Sequence, residues 1–580
     1  ADEFIEKINA DVTGNFVLTA DLDFADVVFN GIESFAGVLN GDGHIIKNLN
    51  IQREGEGKLG LFLLTQDAEI RNVGIENSVI GTAKNKHIGA FVGEMNGGSM
   101  VECYVGNTRI VGQDHVGALV GQLSAGALMS NCYSTAYVQT TGWQAGGLVG
   151  SINKATVDKS YFSGVVVGRY NRTGGVVGLK NGGDDTDTFV KNSVNMASYI
   201  VGDDSPKRIM GDVGIKLENN YSLVSAKVGK AVESAVVVTC DNATDQNGAD
   251  MTLEQAKTAS FYTETLQWDM TDTWTIPAAG AYPVLKWQLN REDKLKWNVY
   301  EGIDVLSEQT TKTIFLSKEA YDLSRFVASN GLALSYHTKA TNITIEGSLL
   351  TPKATSGSAV VTVSAGDAAK ADFAEVSVTL NCKMIAETGV IEITTPDDLL
   401  VVNAFAGRDF ILMNDIDMTG VAFTGLCSEA NPFTGTFDGA KHSIKGLNFN
   451  EANTSAMGLF RKIKGATIKN VYLEEVNFTG NENVGGITGM AEGGKIELCS
   501  VKNSYIEGRD RVAAIAAWIG GGVVIENCYA ANSEVKAREH QAGGIAGASL
   551  EGGATIRNCY FEGTLENKYG HMGAMLGLID

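Results

Sequence analysis

Short apolar runs separated by Gly, Asn and Ser recur along most of the 580-residue chain. One such unit reads GALVGQL, SAGA, LMSNCYST, AYVQT and TGWQ in succession, so runs rich in valine, leucine and tyrosine alternate with turn residues. Apolar runs of this length bounded by turn residues are typical of β-strands. We therefore predict two or three short strands in each unit.

A glycine phrase marks each unit and gives the repeat its length. The phrase reads IGAFVG, VGALVG, AGGLVG and TGGVVG in a first tract, and VGGITG, VAAIAA, AGGIAG and MGAMLG in a second. Its second residue falls at 89, 117, 146 and 174, and then at 485, 513, 543 and 573. A period of 28 to 30 residues indicates stacked coils. We expect an all-β chain with two right-handed parallel β-helix (β-solenoid) domains, in which glycines sit where coils approach closely or turn tightly.

A second signature, NCY or a relative, keeps the same period. Its middle residues are Cys103, Cys132, Ser160, Ser193, Asn220, Val471, Cys499, Cys528 and Cys559. We expect these residues to form an inward ladder of small, apolar side chains. Free cysteine is often buried and no CxxC occurs, so reduced thiols are favoured over a disulfide or a metal site.

The start of each tract is duplicated, which sets the domain boundaries. LTADLD and LMNDID match position by position, so that Asp21 corresponds to Asp415 and His44 to His442. A short helix precedes each copy, with Asp2 and Thr395 as the expected N-caps, and we expect each helix to cover one end of its solenoid. Thr252 and Gln255 form an expected capping box, and WTIPAAGAYPVLKW is expected to close the first solenoid as a plug.

The stretch between the tracts lacks the period and shows short alternating strands. It fits an immunoglobulin-like β-sandwich. The predicted domains are a β-helix at 1–290, a β-sandwich spacer at 291–384 and a second β-helix at 385–580.

The amino-acid composition argues against some classes of binding partner. The formal net charge is -22, which argues against nucleic acid as a ligand. The chain has no apolar stretch of 18 residues, so we expect no transmembrane helix. It opens at Ala1 without Met or signal peptide, which indicates a processed or trimmed chain.

The glycine phrase closely resembles the GLUG motif. Its core is GLVG at Gly147–Gly150, with variants GVVG at Gly175–Gly178 and GITG at Gly486–Gly489. The resemblance implies a Bacteroides-type surface protein with a role in cell adhesion, secreted or held at the outer membrane as a lipoprotein. GLUG repeats also occur in the non-catalytic part of some IgA1-cleaving metallopeptidases. The family defines no catalytic residues, and its bacterial surface proteins contain Ig-like modules similar to the spacer.

A polar column precedes the phrase glycine on successive coils. It contains His87, His115, Gln144 and Arg172. His87 and His115 would stack about 5 Å apart and could share a metal or a proton. The alternative is a row of corners that simply face water.

Two further groups of residues are candidate ligand sites. Trp143, with Gln144, Tyr170 and Arg172 beside it, has the chemistry of a sugar-stacking patch, the alternative being that Trp143 packs on a neighbouring loop. The loop GGDDTD offers Asp184, Asp185 and Asp187 as Ca²⁺ ligands, although its spacing favours a solvated insertion.

Catalytic motifs are missing from the sequence. No HExxH occurs, and no column of carboxylates runs along neighbouring coils. We expect a non-enzymatic, adhesin-like surface protein that binds host or bacterial surface glycans or proteins, with no cofactor apart from the Ca²⁺ option. The alternatives are a polysaccharide-binding or polysaccharide-degrading β-helix and a structural stalk of a larger protein.

Overall fold

The structure is a computed structural model that describes residues 1–53, 55–182, 187–306, 311–317, 319–354, 357–386, 388–451, 454–549 and 552–579. The chain forms two compact units. The first contains 1–314, 320–353 and 358–382, and the second contains 315–319, 354–357 and 383–580. A β-solenoid of stacked parallel strands is the main part of each unit, as the periodic sequence predicts.

Five sheets run along the first solenoid. The first holds Asn15–Val17, Val38–Asn40, Glu69–Arg71, Ser99–Val101, Leu128–Ser130, Thr156–Asp158, Phe189–Lys191 and Lys216–Glu218. The second, here called the first tyrosine sheet, holds Leu22–Asp23, Ile45–Lys47, Gly74–Glu76, Tyr104–Gly106, Tyr133–Ser134, Tyr161–Phe162, Val194–Asn195, Tyr221–Leu223 and Ala249–Met251. The third holds Asn50–Ile51, Val79–Ile80, Arg109–Gly112, Tyr137–Thr140, Val165–Val167, Tyr199–Val201, Lys227–Gly229 and an antiparallel edge, Val236–Val237. The fourth holds Lys86–Ile88, Asp114–Gly117, Ala145–Gly146 and Thr173–Gly174, and the fifth holds Phe62–Gln66, Val92–Asn96, Val120–Ser124, Val149–Asn153 and Val177–Lys180.

Three sheets build the second solenoid. One holds Ile391–Ile393, Phe410–Leu412, Thr436–Asp438, Thr467–Lys469, Lys495–Glu497, Val524–Glu526 and Thr555–Arg557. The next, here called the second tyrosine sheet, holds Ile416–Asp417, Ser443–Lys445, Asn448–Asn450, Tyr472–Glu474, Asn477–Thr479, Glu482–Gly485, Ser500–Lys502, Tyr505–Ala513, Tyr529–Gly543, Tyr560–Asn567 and Met572–Gly573. The last holds Phe460–Lys464, Thr488–Glu492, Ala516–Gly520, Ala546–Ser549 and Leu576–Ile579.

The region between the solenoids is also all-β. Its ten strands form three small sheets: Val299–Glu301, Asp304–Val305 and Phe326–Ala328; Thr311–Leu316, Leu334–His337, Gly357–Ala365 and Ser377–Met384; Tyr321–Asp322, Ile343–Glu346 and Leu349–Pro352. A hairpin of Trp274–Thr275 and Val284–Leu285 precedes them. The immunoglobulin-like sandwich, the three domain boundaries and the right-handed sense stay predictions.

The described helices are few and short. The α-helices are Asp2–Ala10 and Pro396–Leu400, and the other helical turns are Val232–Ser234, Gln255–Lys257, Phe261–Thr265, Lys286–Asn290, Leu323–Arg325, Asp367–Ala371 and Val401–Asn403. In the described part of the chain, none of them has the length and apolar character that a membrane crossing requires.

Each solenoid has a helix near its start whose apolar residues enter the core. Phe4 and Ile8 are buried in the first core and Leu399 in the second. The Thr395 hydroxyl accepts the Asp398 N–H, so this cap is confirmed. The predicted Asp2 cap is wrong, because the helix already begins at Asp2 and Ala1 precedes it.

Register confirms the period and explains the glycines. Val92, Val120, Val149 and Val177 are direct partners on four successive coils. A Cβ on Gly146 would overlap the Val149 carbonyl and lie 2.6 Å from the Gly178 nitrogen. Gly146 is therefore required by the close approach of neighbouring backbones, whereas Ala513 occupies the equivalent place in the second solenoid.

The inward ladder exists, but it is hydrogen-bonded and not merely apolar. The N–H of Cys132 donates to Ser160 Oγ at 3.1 Å, the N–H of Ser160 to Ser193 Oγ at 3.3 Å, and the N–H of Ser193 to Asn220 Oδ1 at 3.0 Å. Thiols continue the same pattern, since Cys132 Sγ donates to the Ser130 carbonyl at 3.3 Å. All eight cysteines are free. Small polar side chains satisfy backbone donors that the coil turn leaves unpaired.

The expected closing plug is instead a strap that runs back along the solenoid. We define the strap as residues 266–293. Its indole N–H groups donate from Trp268 to the Asn192 carbonyl, from Trp274 to Asn131 Oδ1 and from Trp287 to the Glu102 carbonyl. The order of these contacts shows that the strap crosses the coils from later to earlier ones. It covers the first tyrosine sheet, where Tyr104, Tyr133 and Tyr161 stack.

Candidate functional site

The polar column occupies left-handed backbone positions in both solenoids. The φ angles are 53° at His87, 54° at His115, 58° at Gln144 and 64° at Arg172. The second solenoid repeats this at Asn483, Arg511, Gln541 and His571. Asn, Asp and His tolerate this region better than most residues, and branched side chains tolerate it worst. Backbone geometry is therefore one reason for the polar character of the column.

His87 and His115 stack as the repeat predicts. Their ring centroids lie 4.4 Å apart, and His87 Nδ1 lies 4.0 Å from Glu94 Oε2. Burial, reinforced by the neighbouring His87, lowers the pKa of His115 to about 4. Burial also lowers the pKa of His87. Both rings are thus neutral at neutral pH, and the shared metal or proton stays a prediction.

Gln144 and Arg172 differ in exposure. Gln144 is buried. The Arg172 side chain is 44% exposed, and its Nε lies 3.7 Å from Asp212 Oδ2, on the following coil. The role of both side chains in ligand binding stays a prediction.

Trp143 and Tyr170 are exposed aromatic residues next to the polar column. Trp143 is 45% exposed and Tyr170 is 38% exposed, and their ring centroids lie 5.2 Å apart with an interplanar angle of 44°. Asp114 Oδ1 accepts the Trp143 N–H at 2.8 Å, and the Arg169 guanidinium lies 5.5 Å from the Tyr170 ring centroid. We call Asp114, Trp143, Arg169 and Tyr170 the first aromatic corner.

The second solenoid carries the same arrangement. His540 and Tyr569 have ring centroids 5.4 Å apart at 41°. Asp510 Oδ1 accepts the His540 N–H at 2.9 Å, and the Lys568 ammonium lies 4.7 Å from the Tyr569 ring centroid. We call Asp510, His540, Lys568 and Tyr569 the second aromatic corner. Each corner combines a carboxylate that fixes the turn, two aromatic rings and a cation over the tyrosine.

Sequence reasoning found only half of this arrangement. It named Trp143 and Tyr170 but missed Arg169 and the whole second corner. The available signal was position, since Trp143 and His540 both directly precede the polar column. His540 is harder to recognise from the sequence because its ring is smaller and its neighbours are charged.

The predicted calcium site cannot be followed in full. Asp184 and Asp185 lie outside the described residues, and Asp187 is exposed. A different group was missed: ligand atoms of Asp510, Glu539 and His540 lie within 4.8 Å of one another. Arg509 Nε already donates to Asp510 Oδ2 at 3.1 Å, which supplies positive charge where a cation would bind.

Comparison with known proteins gives a distant set of relatives. No protein-family model matches the sequence. Halomucin from Haloquadratum walsbyi is 25% identical over an alignment of 524 residues, and the match covers 80% of this chain and 5% of Halomucin. The chain thus spans a small part of that relative's length.

Two solved structures are also similar to the chain. One is a candidate immunoglobulin A1 protease from Bacteroides ovatus, 22% identical with a TM-score of 0.38, and the match covers 47% of this chain and 86% of that one. The other is an IgA1 protease, 14% identical with a TM-score of 0.29, covering 65% of this chain and 33% of that one.

Proposed function

We propose that this chain is a non-enzymatic surface protein whose two aromatic corners bind glycans. The observation that carries the proposal is the recurrence of one exposed arrangement, with a ring pair at 5.2 Å in the first solenoid and at 5.4 Å in the second. Neither pair belongs to the inward ladders, since Trp143, Tyr170 and Tyr569 lie at bends and His540 is a half-buried residue of the strand Tyr529–Gly543.

The chemistry of each corner suits a sugar ring. An open indole, imidazole or phenol face packs against the apolar face of a pyranose, and the cation beside the tyrosine can meet hydroxyl or carboxylate groups. The carboxylates of Asp114 and Asp510 are occupied by backbone N–H groups, so they hold the turn in shape. Two corners on one chain would bind a repetitive glycan with avidity greater than either site alone.

The cellular location is part of the same proposal. Likeness to a protein named Halomucin supports a location outside the cell or at its surface. The acidic charge of -22 supports solubility and disfavours nucleic acid as a partner. Outer-membrane anchoring through a lipid remains part of this proposal.

A glycan-degrading enzyme is the second candidate, because Asp510, Glu539 and His540 cluster beside the second aromatic corner. One assay separates the candidates: the full chain is incubated with mucin glycans and plant polysaccharides, and both binding and new reducing ends are measured. Saturable binding without new reducing ends supports the binding protein. Turnover that Asp510→Asn abolishes would establish the enzyme instead, and the absence of both would leave the structural stalk.

A further inference from the structure

In the first solenoid, the strap covers the outer face of the first tyrosine sheet. Trp274 lies over Tyr133 with ring centroids 6.1 Å apart, and Trp287 lies over Tyr104 at 5.6 Å. At the far end of the strap, Arg291 donates to both carboxylate oxygens of Asp21, at 3.0 and 2.6 Å. An extended segment with spaced tryptophans and a final arginine is thus the observed occupant of this face.

The second tyrosine sheet is the same surface in equivalent register. From the duplicated start, the first sheet places Ile45, Gly74, Tyr104, Tyr133 and Tyr161 on successive coils, and the second places Ser443, Tyr472, Ser500, Tyr529 and Tyr560 there. Tyr529 and Tyr560 therefore correspond to Tyr133 and Tyr161. The pair stacks with centroids 4.9 Å apart and an interplanar angle of 8°.

The acceptors that bind the strap are repeated as well. Asn527 has the left-handed backbone of Asn131, whose Oδ1 accepts the Trp274 indole N–H, and Leu498 has that of Glu102, whose carbonyl accepts the Trp287 indole N–H. Asp415 Oδ1 lies 3.4 Å from His442 Nδ1, as Asp21 Oδ1 lies 3.1 Å from His44 Nδ1. The second sheet thus offers amide, carbonyl and carboxylate oxygens in the same order.

These groups are more exposed in the second solenoid, where Asn558 Nδ2 donates to Asn527 Oδ1 at 3.3 Å and the Lys502 ammonium lies 5.4 Å from the Tyr529 ring centroid. Tyr560 is 51% exposed, against 2% for Tyr161. The Asp415 side chain is 72% exposed, against 24% for Asp21. Leu498 and Asn527 are exposed too. A surface with a stacked aromatic pair, exposed acceptors and a carboxylate can bind a segment that carries hydrogen-bond donors.

We propose that the outer face of the second tyrosine sheet is a docking surface for an extended segment of a partner protein with the strap's chemistry. One tryptophan of that segment covers Tyr529 and donates its indole N–H to Asn527. A second tryptophan donates to the Leu498 carbonyl, and an arginine beyond it pairs with Asp415. A polypeptide is favoured over a glycan because the equivalent face of this chain already holds one.

The proposal is tested with the strap itself as the probe. A fluorescein-labelled peptide of residues 266–293 is titrated with the full chain, and anisotropy is measured. We expect saturable binding that Tyr560→Ala and Asp415→Asn each weaken at least tenfold, since both residues are exposed and neither change should prevent folding. A peptide that carries both Trp274→Ala and Arg291→Ala should bind the unaltered chain at least tenfold more weakly than the unaltered peptide does.

The matched control is Tyr199→Ala, a tyrosine that a lysine covers on another sheet. It should leave peptide binding unchanged. If the peptide does not bind, or if it binds Tyr560→Ala and Asp415→Asn as well as the unaltered chain, the docking surface is refuted. Displacement of bound peptide by mucin glycans at equal site occupancy would assign this face to sugars and would also overturn the proposal.

Discussion

Arg291 holds Asp21 through two hydrogen bonds, at 3.0 and 2.6 Å, although 270 positions of sequence separate the two residues. The guanidinium also donates to the Gly43 carbonyl at 2.7 Å. Burial of Asp21 raises its pKa, but the hydrogen bonds from Arg291 and from the Ile45 N–H outweigh it and lower the pKa to about 2. This pair fixes the end of the strap at the start of the first solenoid.

Asp21→Asn should therefore destabilise the first solenoid. Loss of a charge-assisted, bidentate pair that is mostly shielded from water costs about 1–3 kcal/mol. The measurement is the free energy of unfolding from urea titration, followed by tryptophan fluorescence because the strap carries Trp268, Trp274 and Trp287. Asp415→Asn is the matched control at the duplicated position without an arginine, and it should change stability by less than about 0.5 kcal/mol. Equal effects of the two changes would contradict the role of the pair.

Stability should fall in mild acid because of His115. Its folded pKa of about 4 lies below the ordinary value of 6.5, so the unfolded chain binds the proton more readily. The contribution of the neutral His115 ring to the free energy of unfolding is complete above pH 6.5 and is lost as the pH falls from 6.5 toward 4. His115→Gln, a residue that the column already holds at Gln144, should flatten this part of the pH profile of the unfolding midpoint. If His115→Gln kept the full slope of the unaltered chain between pH 6.5 and 4, the assignment would be refuted.

Gly146 should tolerate no side chain. Gly146→Ala would place a Cβ against the Val149 carbonyl and the Gly178 nitrogen, both of which belong to the backbone. We expect a loss of about 3 kcal/mol, the upper end of overpacking costs. Gly57→Ala is the control, because a Cβ there meets open space at an ordinary φ. Thermal unfolding of both variants checks this, and similar melting temperatures would contradict the close-approach explanation.

The inward ladder should depend on its acceptors. Ser160→Ala leaves the buried Cys132 N–H without the Ser160 oxygen, which costs about 1–3 kcal/mol. Ser160→Cys should be milder, since Cys103 and Cys132 occupy equivalent rungs. Urea unfolding of the two variants separates hydrogen bonding from packing. If Ser160→Ala proved as stable as the unaltered chain, the ladder would act through size alone.

The periodic parts of the fold could be predicted because each coil repeats the same constraint. Gly146 and Cys132 belong to columns in which neighbouring coils impose one residue size or one hydrogen-bonding need, and these columns are visible in the sequence. The strap has no repeat, so the path of Trp268, Trp274 and Trp287 could not be deduced from spacing, and the aromatic cluster suggested a plug.

The candidate site was predicted only where its chemistry is distinctive. Trp143 at a polar turn drew attention because an indole is unusual there. His540 and Tyr569 form the same geometry from residues that are common on protein surfaces, and only the fold places them at the equivalent corner. The left-handed backbone of His87 and Gln144 also shows that polar residues in the column satisfy geometry before any ligand is considered.

The most direct test of the proposed function is the binding of the full chain to immobilised mucin glycans, compared with Trp143→Ala, Tyr569→Ala and the double variant. Removing one aromatic corner should weaken binding several-fold, and removing both should weaken it more than tenfold, because each aromatic contact contributes about 0.5–1.5 kcal/mol. Tyr199→Ala should bind like the unaltered chain. Undiminished binding by the double variant would contradict the account.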